Sequence, residues 1–250
     1  MLSVLTLNVW NREGPWLARL ALIREWIQRL QPDLIGLQEV VDIEHLQEML
    51  GECGYHLERM GPIAIAARWP IRDRQELQLP GSGDGTGGAA LKGSIQSPFG
   101  DVPFTCAAIH YYKTHEGFRR EEQMPALNHF ARGRSQEAYP AILVGDFNTD
   151  PESAEIRYLK GLQSLGGRSA YWCDAWEHAG DGSKGATWSK GNDFAAWAPW
   201  PNRRIDYILV AQPRIDGAGT IVDCNVACNE RVGDVWPSDH FGVFARLRTP

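Results

Sequence analysis

The sequence predicts an α/β protein built on mixed β-sheets, and three observations carry that expectation. Strand-like and helix-like stretches interleave along the 250 residues, as they do where helices cover sheets. Residues 63–110 read instead as consecutive strands with no helix between them, so antiparallel pairs are expected beside parallel ones. Several apolar runs stop abruptly at a carboxylate or an amide, which is how a buried strand delivers polar groups to the rim of a sheet.

The first strand is expected over residues 2–7, ending at Asn8. Residues 15–30 then repeat Trp16, Leu17, Leu20, Ile23, Trp26, Ile27 and Leu30 at helical spacing. Pro15 suits a first turn and Pro32 a stop. A strand over residues 34–37 runs into Gln38-Glu39, and a shorter helix follows near residues 43–50. Strands are expected over residues 63–67, 74–79, 89–96 and 102–110. Residues 115–132 read as a helix, with the charges of Arg119 to Glu122 on its solvated face. The apolar run 141–144 ends in Gly145-Asp146-Phe147-Asn148, and a helix is expected from about residue 152 to 162. A loop-rich stretch leads to strands over 204–210, 219–227 and 241–248. With no internal repeat and no linker, residues 1–250 are expected to form a single domain. Residues 83–88 satisfy G-x-G-x-x-G, but a dinucleotide site needs that turn to open a helix. The residues after it read as a strand, so a hairpin loop is expected there.

Composition narrows the function classes. Apolar residues make up 43% and charged residues 22%, ordinary for a soluble globular chain. The formal net charge of −6 argues against a broad nonspecific grip on a nucleic-acid backbone. It does not exclude a nuclease, because bound metal supplies local positive charge. Cys53, Cys106, Cys173, Cys224 and Cys228 form no Cys-x-x-Cys pair, so a zinc or redox motif is not expected. Reduced thiols, no leader peptide and no membrane-length apolar segment make a cytoplasmic chain, most simply a monomer, the expectation.

The chemistry lies at the strand ends. A charge inside an apolar run is costly unless paired or metal-bound. Asn8, Glu39, Asp146, Asp206 and Asp239-His240 all sit in or at the end of such runs. Asp146 and Asn148 are two apart, so on an extended backbone they share a side. A carboxylate and an amide together suit a metal-and-phosphate site. The alternative is an Asx-rich turn closing the strand.

Thr6-Leu7-Asn8, Leu37-Gln38-Glu39, Gly145-Asp146-Phe147-Asn148, Arg204-Ile205-Asp206-Tyr207 and Ser238-Asp239-His240 resemble, in order, the motif series of the endonuclease/exonuclease/phosphatase superfamily. That superfamily contains exonuclease III, pancreatic-type DNase, neutral sphingomyelinases, inositol polyphosphate phosphatases and tyrosyl-DNA phosphodiesterases. The resemblance implies a four-layer sandwich, two packed mixed β-sheets flanked by helices. It implies hydrolysis of a phosphoester, foremost a phosphodiester, by in-line attack of water with Mg²⁺ or Mn²⁺ bound. Glu39 matches the principal magnesium ligand, Asn8 orients Glu39 or touches the metal, and Asp239 is a further ligand. Asp146 positions or deprotonates the attacking water, and Asn148 meets a phosphoryl oxygen. Asp206 and His240 match the carboxylate–histidine pair, with His240 the alternative base. His110 resembles a histidine of pancreatic-type nucleases and sphingomyelinases that binds phosphate or assists the leaving group.

Substrate contacts are expected from His115, Trp188, Asn192 and Arg203, His115 reading equally as a residue that starts a helix. Thr187-Trp188 followed by Asn192 resembles a bacterial branch of the superfamily in which proline usually follows that asparagine. Here Asp193 does, and residues 194–200 are unusually aromatic. The acidic balance favours a small or lipid-like phosphoester as substrate partner, with a DNA endonuclease or exonuclease as the alternative. A noncatalytic binding module on this fold should lack Glu39, Asp146, Asp206 or His240, and all four are present.

Overall fold

The computed structural model of the chain describes residues 1–81, 88–110, 113–132 and 138–250. The expected hairpin loop at 83–88 therefore lies, apart from Gly88, outside the described residues. The described strands form two six-stranded sheets. In the first, β1 (Leu2–Asn8) and β2 (Leu34–Gln38) are the parallel central pair. β3 (His56–Met60) and β4 (Ile63–Ala67) extend it on one side. In the second, β5 (Ile71–Gln78), β6 (Ala89–Ser97) and β7 (Gly100–Ala108) form an antiparallel meander. β7 then runs parallel to β8 (Ile142–Asp146), β8 pairs with β10 (Asp206–Val210), and β10 carries the two-residue β9 (Cys173–Asp174) at the edge. The chain returns to the first sheet for β11 (Ile221–Ala227) and β12 (Gly242–Leu247). The mixed sheets expected from sequence are thus present.

Period-2 alternation explains the layering. Val4, Leu34, Ile65, Phe104, Val144, Ile208 and Val243 turn inward and form the core between the sheets. Their neighbours Leu5, Leu7, Ile35 and Leu37 turn outward and are covered by α1 (Trp16–Leu30) and α2 (Ile43–Glu52). On the opposite face Leu143 and Leu209 pack with Leu127 and Ile156, from α3 (Gly117–Ala131) and α4 (Ala154–Leu159). A methyl added at Gly36, in the centre of β2, would stand 2.3 Å from a methyl of Val144, so the sheets meet there with no room for a side chain.

Several sequence expectations are corrected. β3 and the short helix α5 (Ala175–Ala179) fell within stretches given no element. β5 begins three residues early and carries a bulge at Arg72–Gln75, with the charged, exposed pattern of an edge strand. α3 starts at Gly117 rather than residue 115, after a 3₁₀ turn over Thr114–Glu116, and continues through Pro125. Its charges are not all solvated: Arg120 is buried and bonds buried Glu155 at 2.7 Å. All five cysteines are free thiols. Among the described residues no helix is long and apolar enough to cross a membrane.

Candidate active site

Both sheets end their central strands at the same edge. β1 and β2 bring Asn8 and Gln38 into register, and β8 and β10 pair Asp146 directly with Asp206. Gly145 makes the last step of β8 possible. Its φ is +148°, and a Cβ there would stand 1.8 Å from the Ala107 carbonyl oxygen.

Asn8 joins the two sheets. Its side-chain nitrogen donates to Glu39 Oε1 at 3.0 Å and to Asp146 Oδ2 at 3.1 Å, while its oxygen accepts from the Trp10 N–H at 2.9 Å. The Trp10 N–H can only donate, so it fixes which end of the amide is the oxygen. That gives Asn8 the orienting role. The other oxygen of Glu39 accepts from Asn11 Nδ2 at 2.8 Å. Asn11, which the sequence reading passed over, therefore completes a two-amide clamp. Its signal was an Asn three residues after the strand-end Asn8.

Asp146 and Asn148 converge by a different geometry from the one expected. β8 stops at Asp146, and Asn148 has a left-handed φ of +53°. Its backbone N–H donates to Asp146 Oδ1 at 2.8 Å and its amide donates to the Ile109 carbonyl at 2.9 Å. The Asx turn and the functional pair are one structure, because an Asx turn is what lets the amide fold back beside the carboxylate.

Opposite them, Asp206 Oδ2 meets His240 Nδ1 at 3.0 Å, both residues buried. The backbone N–H groups of Ile205 and Asp206 are held by the Thr187 hydroxyl. Burial disfavours the His240 cation, but Asp206, then Asp239 and Asp146, outweigh it and hold the imidazolium well above its ordinary range. Burial also pushes Asp146 up to about 7, with the Asp206 charge adding to it. Burial pushes Asp239 up to about 6, with the charge of Glu39 raising it further. Asp206 Oδ1 is buried with no hydrogen-bond partner.

This donor set fits a hard divalent cation. Glu39 and Asp239 are electrostatically linked carboxylates, the oxygen donors such an ion takes. Ligand atoms of Asp146, Asp206 and His240 also lie within 4.8 Å of one another. There the Asp206 bond and the favoured imidazolium suit proton handling better than coordination, since a metal-bound imidazole must be neutral.

The expected substrate residues divide. His110, exposed two residues beyond β7, lines a cleft of about 370 Å³ together with Glu39, Asp146, Asn148, Met60, Pro62 and Ile63. Trp188 is half-buried, its ring edge-on to His240 at 5.0 Å. Like Trp188, the other three expected residues do not line this cleft. His115 is exposed in the 3₁₀ turn. Asn192 is buried, its amide committed to the Ser238 and Asp239 carbonyls and the Phe194 N–H. Arg203 is buried against Asp150 and the Asn148 carbonyl. Asn192 and Arg203 hold the loops that carry Asp239 and Asn148, so their contacts run to protein rather than outward.

The profile of the Endonuclease/Exonuclease/phosphatase family matches residues 5–240. Exodeoxyribonuclease III of Haemophilus influenzae is 23% identical over 257 residues, spanning 89% of this chain and 92% of that one. Among solved structures, D. rerio TDP2 complexed with single strand DNA product is similar at a TM-score of 0.80 and 18% identity, over 99% of both chains. A mannosyl-6-phosphatase of Bacteroides thetaiotaomicron gives 0.73 at 22% identity, over 99% of this chain and 100% of that one. The chain belongs to the endonuclease/exonuclease/phosphatase family and has its fold, two packed mixed sheets between helices.

Proposed function

We propose that this member of the endonuclease/exonuclease/phosphatase family hydrolyses a phosphodiester bond of a small or lipid-like substrate with Mg²⁺ or Mn²⁺ bound. Family membership makes the chain a phosphoester-cleaving, divalent-metal-dependent hydrolase; ion, bond type and substrate are our reading. The observation that carries it is the Asn8 bridge, which sets the Glu39 carboxylate beside Asp146 and opposite the Asp206–His240 pair.

Glu39 and Asp239 are the residues we assign to the cation. When bound, the ion neutralises charge on the phosphoryl group and acidifies a coordinated water. Asp146, raised toward neutrality by burial, takes the proton of the attacking water. His240, kept charged by Asp206, donates from Nε2 to a nonbridging oxygen as negative charge develops there. Asn148 holds Asp146 in place, and His110 is our candidate for the leaving-group side. The cleft volume of about 370 Å³ supports a small substrate, because small-molecule sites span roughly 300–1,000 Å³.

The names of the similar proteins support two other substrate classes. Exodeoxyribonuclease III and the TDP2–DNA complex favour nucleic acid, and the mannosyl-6-phosphatase favours a sugar monoester. The test is a rate comparison with Mg²⁺ or Mn²⁺ on bis(p-nitrophenyl) phosphate, p-nitrophenyl phosphate, sphingomyelin, plasmid and single-stranded DNA. Faster turnover of DNA or of the monoester than of every small or lipid diester overturns the substrate reading.

A further inference from the structure

One buried cation fixes both loops that flank the proposed metal site. Arg19, on α1, is 0% exposed and does not reach the cleft. All of its donor nitrogens are spent on carbonyl oxygens. Nε donates to Glu13 at 2.9 Å, Nη1 to Val9 at 2.8 Å and Pro237 at 3.1 Å, and Nη2 to Trp10 at 3.0 Å and Asn11 at 3.1 Å. The rings of Trp10 and Trp16 flank the guanidinium at 4.9 and 5.1 Å. Burying a cation without an ion pair costs several kcal/mol unless hydrogen bonds compensate. Five carbonyls do so here, and only a guanidinium presents that many donors in one plane.

The carbonyls belong to two segments. Residues 9–13 include Trp10 and Asn11, both left-handed at φ +53° and +46°. Such residues persist only where the surroundings over-determine them. This conformation aims Asn11 Nδ2 at Glu39 Oε2 and places the Asn11 N–H 3.1 Å from the Glu39 carbonyl. Pro237 precedes Ser238, whose hydroxyl donates to the Asn8 carbonyl at 2.6 Å, and Asp239.

We infer that Arg19 is a positioning residue for divalent-cation binding, setting the spacing of Glu39 and Asp239 by tying segment 9–13 to Pro237. The inference rests on the reading that Glu39 and Asp239 hold the cation. It makes metal affinity depend on a side chain that touches neither metal nor substrate.

The test is calorimetric titration of the metal-free full chain with Mn²⁺, with Tm and the Mn²⁺ dependence of bis(p-nitrophenyl) phosphate hydrolysis measured alongside. Arg19→Lys keeps the charge but loses the fork. We expect a folded protein whose Mn²⁺ dissociation constant rises about 10-fold, the scale for groups that orient metal ligands, with kcat at saturating Mn²⁺ near wild type. Arg24→Met, which removes an exposed ion pair with Glu52 from the same helix, should leave affinity unchanged. A lower Tm with unaltered affinity in Arg19→Lys makes Arg19 merely structural and overturns the inference. If Arg19→Lys does not fold, Asn11→Ala decides, because it keeps all five carbonyls; unchanged affinity there overturns the route through Asn11. Glu39→Gln separates the two readings: if it leaves Mn²⁺ affinity intact, the metal assignment fails independently of Arg19.

Discussion

The two sheets build their halves of the active site by opposite means. The first contributes Asn8 from the end of β1 and Glu39 and Asp239 from loops, with Glu39 itself left-handed at φ +56° and clamped by the amides of Asn8 and Asn11. The second contributes Asp146 and Asp206 as directly opposed residues of an antiparallel pair, so strand register alone fixes their spacing. The first half holds Glu39 with two neutral amides, which leaves its charge available to a cation. The second sets carboxylates against one another and against His240, which moves pKa values. Charge storage tolerates a loop held by many hydrogen bonds, whereas proton transfer needs the stiffness of a sheet.

Removing each half should produce a different failure. Chelation with EDTA should abolish hydrolysis, and Mg²⁺ or Mn²⁺ should restore it. Glu39→Gln should raise the metal concentration needed for half-maximal rate. Asp146→Asn should lower kcat by about 10²-fold or more with metal still bound, the scale for a general base. Calorimetry that finds Mn²⁺ binding lost in Asp146→Asn and kept in Glu39→Gln would exchange the roles of the halves.

Across the two halves, Asp206 on β10 and His240 just before β12 should behave as one unit. Each of His240→Ala and Asp206→Asn should cost activity, and the double variant should cost little more than the worse single one. Losses that add in ln(kcat/KM) would show two independent residues and break the contrast drawn above.

Much of this division was legible in the sequence, and the reasons differ for each half. The apolar run ending in Asp146 and the one that embeds Asp206 could be read because a strand declares its course through its apolar residues. The first half was read only in part. Asn11 and Arg19 gave no strand-end signal, and a helical arginine with apolar neighbours reads as surface until its carbonyl partners are known. Asn192 and Arg203 were recognised as near the site but read as facing outward. Nothing in a sequence tells whether a polar side chain spends its hydrogen bonds on substrate or on the backbone behind it. β3, β5 and α5 were lost or misplaced because short or exposed elements lack a clear apolar period.

A smaller effect joins the halves through pH. Asp146, Asp239 and His240 all have folded pKa values above their unfolded ones. The metal-free native state therefore binds more protons than the unfolded chain, and it loses stability as pH rises through about 6 and 7 and on toward the folded pKa of His240. A divalent cation competes with those protons and offsets the loss. The rise in Tm on adding Mn²⁺ should thus be larger at pH 8 than at pH 5.5. An equal rise at both would mean that the cation binds away from these carboxyls.

The smallest expected effect separates a functional orphan from an accidental one. Among the described residues, the second sheet holds buried oxygens without hydrogen-bond partners at Oδ1 of Asp206 and Oγ1 of Thr105 on β7. An unpaired buried polar atom costs about 1–3 kcal/mol. At Asp206 that cost belongs to a carboxylate that faces Asp146 and holds His240. Thr105 instead stands between Lys92 and Leu143 in the strand ladder and touches none of these groups by hydrogen bond. Thr105→Val keeps the shape and removes the unpaired hydroxyl, so stability should rise by about 1 kcal/mol with kcat and KM unchanged. Thermal unfolding and steady-state kinetics check both. A Val variant that is less stable, or slower at equal stability, would mean that the hydroxyl has a partner in solution, and the sheet's contribution to the site would then reach one strand further than register alone accounts for.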